Sequence, residues 1–398
     1  MTPSAPDTLP PSPWLRPAWL LGALALVAVL VRAYPLLRAG AWGLPVDYDE
    51  GVYFSASALL TQGVWPYRDF VFVHPPGLLL VLAPVSAWAR AVEPGTVFAL
   101  ARWASVAVGG ANVLLLGRLA WRAWGRAAGL AAAALYALHP VCVAAEHGVF
   151  LEPSLNLFGL LCAGAGLAAL QEGRRRVGLW AGVLAGGALS IKLWALAAVA
   201  GVLAAAGRRL RVGAFGAGLA LALAVLVGPF ALQAPGRFLE QVFAFHARRP
   251  PDGDLSRLLR MQEMFVGRGA LGLALLAAVG ALFAVRRWRE DAAARFAFTG
   301  AVLTVGAFLA AATYWDQYNA FLAPFLCLLA ALGAAQLWAG AGRFALARRG
   351  AVALAVLLAV VLEQRVVRRE GRAQFFERFV PHYAPAEGAD IWAMKPAP

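Results

Sequence analysis

Apolar runs of about 20 residues recur along this chain, separated by short arginine clusters, and that alternation confines what it can fold into. In bilayer hydrocarbon every backbone N–H and C=O needs a partner within the protein, so each such run is expected to be a helix. Membrane-spanning strands would alternate over about ten residues, and that pattern is absent. Composition agrees: of 398 residues, 61% are hydrophobic and 14% charged, with a mean hydropathy of +0.69. Those values exclude an ordinary soluble enzyme, a disordered chain and a secreted disulfide scaffold. Cys142, Cys162 and Cys327 lie in or beside apolar runs with no CxxC, which argues against a disulfide framework or a zinc site.

The formal net charge is +14. In a soluble chain that would suggest nucleic acid, but the bases sit between apolar runs without a basic stripe of interleaved aromatics, so no nucleic-acid partner is expected. The clusters Arg118/Arg122/Arg126, Arg174/Arg175/Arg176, Arg208/Arg209/Arg211, Arg286/Arg287/Arg289 and Arg343/Arg348/Arg349 are expected to be cytoplasmic under the positive-inside rule. Residues 1–17 read as a disordered cytoplasmic tail, 18–362 as the membrane domain and 363–398 as an amphipathic tail. Within the domain, 38–96 form a first external loop and 233–266 an external interfacial one. The segment Gly77–Trp88 is too short to span, so it reads as a re-entrant or interfacial element. Spans are expected near Ala18–Leu37, Val97–Leu116 and Ala127–Val143, which puts Glu146, His147 and Glu152 at the external surface. The interval from Arg176 to Arg208 fits two short helices turning near Ser190 and Lys192, with Gly182, Gly186 and Gly187 packed inside that hairpin. Further runs at Arg211–Pro229, Ala270–Val285, Phe296–Ala312, Phe321–Trp338 and Ala351–Leu362 complete an all-α polytopic fold of about 11 spans, range about 10–13. The tail with Arg365, Arg368, Arg369, Arg372 and Arg378 would then end outside, against the charge rule.

Chemistry concentrates in Asp47-Tyr48-Asp49-Glu50-Gly51-Val52-Tyr53, just beyond the first helix. A carboxylate there can take a proton from a substrate hydroxyl or hold a cation. Asp47 followed by Glu50 also has the spacing of a capping box, opening a helix from Asp49 to about Gln62 with Gly63 past its end. Capping accounts for Asp47 and Glu50 and leaves Asp49 for catalysis. The loop continues Gly63-Val64-Trp65-Pro66-Tyr67-Arg68-Asp69-Phe70 and then His74-Pro75-Pro76-Gly77, where the Pro pair imposes an extended backbone.

These three motifs at this spacing resemble the first external loop of C-type (GT-C) membrane glycosyltransferases, nearest to the protein O-mannosyltransferases and the aminoarabinose transferases of lipid A. Leu151-Glu152-Pro153 resembles the second acidic site of those families, and Tyr314 to Pro324 their late external segment. Glu152 stands where Asp is commoner, and His74 where a Lys often precedes the Pro pair. The resemblance implies inverting transfer of a sugar from a polyprenyl-phosphate donor to a glycan, lipid or protein hydroxyl, on the outer face of an inner membrane. It implies Asp49 as base, oriented by Glu50 or Glu152.

A departing phosphate needs cations nearby. Candidates are Lys192, Arg102, His74, His246, Arg248 and Arg249, with Tyr67, Tyr314 and Tyr318 as further substrate contacts. Lys192 is one of only two lysines and sits in an apolar stretch, where an ionisable group is functional by default unless it merely snorkels to headgroups. Phe243 to Pro251 mixes aromatics with bases and suits either a phosphate headgroup or plain anionic lipid. His139 and His147 are expected to face solvent. The sequence assigns no cofactor with certainty; a divalent cation (Mg or Mn) on Asp47 and Asp49 stays open. The rival function is a secondary transporter or flippase, which would favour internal repeats and mid-membrane charges over loop carboxylates. A catalytically inactive scaffold is the third class.

Overall fold

The computed structural model describes residues 17–362 apart from 40–42, 44–46, 173–174, 208–211, 251–255, 340–346 and 348. The expected tails, except Pro17, lie outside the described residues. Within them the chain is helical, with a lone bridge between Pro66 and Phe70.

Helix α1 (Pro17–Ala39) leads to α2 (Tyr48–Thr61) and α3 (Gly77–Ser86), which ends in a 3-10 turn. The long α4 (Pro94–Trp124) then starts on Pro94, with Glu93 capping the amides of Gly95 and Thr96. The expected span at Ala127–Val143 is broken: α5 (Arg126–Leu138) and α6 (Pro140–Glu146) meet at 63°. The cause is Pro140, which lacks an amide for the ladder and biases His139 to extended backbone, φ −60°, ψ 118°. Next come α7 (Leu151–Glu172), α8 (Arg175–Leu189), α9 (Ala195–Ala206) and α10 (Val212–Leu226). Short helix α11 (Gly228–Gln233) leads into the second expected loop, which α12 (Pro235–Leu239), α13 (Phe245–Arg248) and α14 (Arg257–Phe265) occupy, before α15 (Leu271–Arg286), α16 (Ala292–Ala310) and α17 (Asn319–Ala339).

Five of these helices are long and apolar enough to cross a membrane, or seven if each of two bent pairs counts as one span. The expected count of about 11 is not reached on length, because runs such as α9, α10 and Arg349–Leu362 are realised as helices of 10–17 residues, while Gly77–Arg90 is short as expected. The chain is nonetheless a multi-pass membrane protein by these helices. Leu271–Arg286, Ala292–Ala310 and Asn319–Ala339 fall close to the spans expected for them.

The hairpin between α8 and α9 turns at Ser190 to Lys192, as the charge spacing predicts. Its glycines serve a different neighbour. A Cβ on Gly182 would stand 2.0 Å from Phe215 O on α10, and one on Gly187 would meet Phe158 of α7 at 2.8 Å. Small residues thus let α8 approach the α10 backbone and make room for the Phe158 ring of α7, instead of packing the hairpin's own arms. Helix α17 runs through the centre, against α15, α16, α5 and α4. The first turns of α2 and α7, the loop of residues 71–74 ahead of α3, helix α6, the α8–α9 turn and the 3-10 turn Asp316–Tyr318 before α17 converge on one cavity.

Candidate active site

Helix α2 opens as its sequence predicts. Asp47, in extended backbone, accepts from the Asp49 amide at 2.9 Å, and the Glu50 carboxylate accepts from the Asp47 amide at 3.3 Å. Gly63, at φ +81°, follows the C-terminal turn in the left-handed region that favours glycine. The cap points the two acidic side chains apart. Glu50 is 1% exposed and grips Arg102 of α4 through two bonds, Nε to Oε1 at 3.0 Å and Nη2 to Oε2 at 2.6 Å. It also accepts from the Val149 amide at 2.9 Å. Asp49 instead faces the cavity, hydrogen-bonded to Tyr53.

That cavity has a volume of about 900 Å³. Its walls carry Asp47, Asp49, Glu50, Glu152, Lys192, His74, His246, Arg249, Arg268 and Tyr318 among others. Glu152, in the first turn of α7, accepts from Lys192 Nζ at 2.7 Å. The ammonium also stands 3.8 Å from the Trp194 ring centroid and 4.3 Å from that of Tyr318. Two aromatic faces and one carboxylate therefore hold a cation that a nearly dry position would otherwise penalise. The turn bearing Lys192 is fixed from outside: Gly77 N donates to Ser190 O at 2.6 Å, and a Cβ on Gly77 would come 2.3 Å from Ser190 Oγ. The glycine after the Pro pair is thus what lets α3 dock on that turn.

Burial first, then the Glu152 charge, raises the proton affinity of Asp49 above the ordinary carboxylate range, while Lys192 opposes. Burial likewise pushes Asp47 up to about 6, against the Asp49 amide bond that lowers it. The two histidines behave oppositely to the expectation of phosphate-binding cations. Their rings stack 5.6 Å apart, and burial, reinforced by Lys192, pushes both down. They enter the cavity as neutral rings at pH 7.

Other expected residues lie elsewhere. Arg102 is committed to Glu50 and does not line the cavity. Tyr67, at φ +67°, donates its hydroxyl to His74 O at 2.6 Å and, with Arg248, lines a second, more open groove. Tyr314 is 4% exposed and bonds Asn319 Oδ1 at 2.7 Å away from the cavity. Glu146 and Glu152, expected at the external surface, are 1% and 2% exposed. Glu146 pairs with Arg32 of α1 at 2.6 Å and accepts from Tyr136 at 2.7 Å and Asn112 at 2.8 Å. His139, expected in solvent, is buried at 4% exposure. Arg268 is a cavity residue that sequence reasoning missed. It pairs with Asp316, and its backbone, at φ +50° between Gly267 and Gly269, turns it inward; the Gly-Arg-Gly string was its only mark.

A divalent cation on Asp47 and Asp49 would have to share Asp47 with the helix cap. One Asp47 oxygen caps α2, and among the described residues no three His, Cys, Asp or Glu side chains converge on a point.

Residues 72–312 match the profile of glycosyltransferase family 87. The chain belongs to that family. A search of curated proteins finds no match. Among solved structures, this family 87 chain resembles ArnT from Cupriavidus metallidurans bound to undecaprenyl phosphate, at 16% identity and TM-score 0.63, over 90% of this chain and 76% of that one. It also resembles the archaeal oligosaccharyltransferase AglB from Archaeoglobus fulgidus, in complex with an inhibitory peptide and a dolichol-phosphate. There the identity is 14% and the TM-score 0.65, over 89% of this chain and 56% of that one. The arabinosyltransferase EmbB from Mycobacterium smegmatis matches at 17% and TM-score 0.51, over 94% of this chain and 41% of that one. The chain thus spans little more than half of AglB and less than half of EmbB. All three are GT-C glycosyltransferases, and the fold here is the GT-C fold. The expectation drawn from the first-loop motifs holds at that level.

Proposed function

We propose that this chain transfers a sugar from a polyprenyl-phosphate donor to an acceptor hydroxyl, with inversion, at the external face of a bacterial-type inner membrane. The observation that carries the reading is one cavity holding a carboxylate of raised proton affinity, Asp49, together with Lys192, Arg249 and Arg268. Asp49 takes the acceptor O–H proton as the acceptor oxygen attacks the anomeric carbon and the carbon–oxygen bond to phosphate breaks. The electron pair leaves on the lipid phosphate, where the cations stabilise the developing charge in a water-poor site. A single displacement inverts the anomeric centre. Binding of undecaprenyl phosphate by ArnT and of dolichol-phosphate by AglB supports this donor class.

The test is purified protein given radiolabelled polyprenyl-phosphate sugars with candidate glycan, lipid or protein acceptors. Saturable binding with loss of the lipid-linked sugar is expected. No binding across a broad panel overturns the reading, and transport into liposomes becomes the alternative to measure.

Turnover also has a predictable pH dependence. The base works ionised, so kcat/KM falls as pH drops through the raised pKa of Asp49, at a higher pH than an ordinary carboxylate would give. Stability runs the other way in this region. Asp47 binds its proton more tightly in the folded chain, up to about 6, so its contribution is greatest below about 3.8 and is lost as pH rises through 6. A pH–rate profile with thermal melts at the same pH values checks both signs.

A further inference from the structure

We infer that Glu152 is a counter-ligand: it occupies Lys192 until the donor phosphate displaces it, and it displaces the spent lipid phosphate on its return. The inference rests on the reading of this cavity as a lipid-phosphate site.

The argument starts from burial. The side chains of Lys192 and Glu152 are 7% and 2% exposed, yet both line the cavity. A buried ammonium left without an anion is costly, so the unloaded protein needs a negative group at this point. Glu152 supplies it at 2.7 Å. An arriving phosphate offers the same compensation with more acceptor oxygens, so one anion exchanges for another and the ammonium is never bare. The cation cannot follow its partner. The Trp194 and Tyr318 rings, in contact with each other at 4.1 Å between centroids, pack against it on one flank, and its turn is pinned by the bond from Gly77 N to Ser190 O. The mobile member is therefore the glutamate, whose carboxylate hangs on two methylenes from the first turn of α7.

The direction of its swing has a consequence for the base. Glu152 already acts electrostatically on Asp49 from across the cavity, raising its proton affinity, while Lys192 lowers it. With a phosphate on Lys192, that cation is screened and Glu152 is left facing Asp49. Ionised Asp49 is then the stronger base toward the acceptor hydroxyl when the donor is in place. After transfer, the lipid phosphate competes with a carboxylate tethered beside the same ammonium, and release is favoured. Glu152 acts here as a positioning residue and touches no reacting atom.

The experiment measures binding of a polyprenyl phosphate, and of the neutral polyprenol, to full-length protein in nanodiscs at pH 7.5. Wild type, Glu152→Gln, Lys192→Met and the double variant are compared. Removing a competitor that holds Lys192 in most molecules should tighten phosphate binding about tenfold in Glu152→Gln. Polyprenol binding should not change, and Lys192→Met should abolish the gain. Asp47→Asn removes a negative charge from the same cavity without touching Lys192, and should alter affinity by less than about twofold. Turnover by Glu152→Gln should be inhibited by lower concentrations of added polyprenyl phosphate than wild type. Equal or weaker phosphate binding by a folded Glu152→Gln, with binding still lost in Lys192→Met, would overturn the inference and leave the phosphate site standing. Failure of every variant and wild type to prefer the phosphate over polyprenol would overturn the site and the inference together. If Glu152→Gln does not fold, Glu152→Asp retracts the carboxylate by one methylene and should still tighten binding; wild-type affinity there would count against the exchange.

Discussion

Asp49→Asn is expected to lower kcat by about 10³-fold, close to 4 kcal/mol of barrier, while leaving donor binding intact. The amide keeps the shape of the side chain and its reach to Tyr53 but cannot accept a proton at neutral pH. The helix that carries it is undisturbed, because the cap uses the Asp49 backbone amide and the Asp47 side chain. Nor does the donor lose a cation: Lys192, Arg249 and Arg268 all remain in the cavity. The defect should therefore appear in kcat and kcat/KM equally, the pattern of an interaction made in the transition state. Asp47→Asn is the matched control. It retains a capping oxygen, sits in the same cavity, and should hold turnover within a few-fold. Single-turnover assays with radiolabelled donor give both numbers. Turnover near wild type in Asp49→Asn would remove this residue as base.

Much of this site was legible in the sequence because its signals are local. A capping box is a three-residue spacing, and it placed α2, its first turn and the glycine beyond it. The same local logic separated Asp49 from the two acids that cap. Arginine spacing located the α8–α9 turn with Lys192 in it. What local patterns lack is partner choice. Glu50 and Arg102 are 52 residues apart, Glu152 and Lys192 40, and Arg32 and Glu146 114. Nothing in an amphipathic or apolar pattern says which buried acid meets which base. For that reason Arg102 read as a phosphate ligand and Glu146 as a surface group. His74 and His246 misled for a related cause: the sequence counts them as bases, whereas burial beside Lys192 removes their charge. The expected spans differ from the helices where apolar runs are cut by Pro140 or shortened into close-packed helices, since hydropathy does not register a break in the hydrogen-bond ladder.

The other large effect concerns the floor of the site. Arg102→Met should destabilise the folded protein by about 3–5 kcal/mol, because it strands the Glu50 carboxylate at 1% exposure with its main cation gone. Amides of Asp47 and Val149 still donate to Glu50, so its charge is not wholly abandoned. They cannot replace a two-point guanidinium contact lying 4.9 Å over the Phe98 ring. Arg102→Lys should recover only part of the loss, since a single ammonium cannot reproduce the fork. Adding Glu50→Gln to Arg102→Met removes the stranded charge and should restore more stability than Arg102→Lys does. Thermal unfolding in detergent orders the four proteins. The same series separates scaffold from substrate contact. A structural Arg102 gives lower melting temperatures with donor affinity retained in the molecules that stay folded. A phosphate ligand would give the reverse, an unchanged melt and weakened donor binding. Because Glu50 joins the first turn of α2 to α4 and to the Val149 amide ahead of α7, the pair fixes the distance between the helix turn carrying Asp49 and the one carrying Glu152. Losing it should therefore lower turnover by more than the unfolded fraction accounts for, and that excess disappears if α2 is held in place by other contacts.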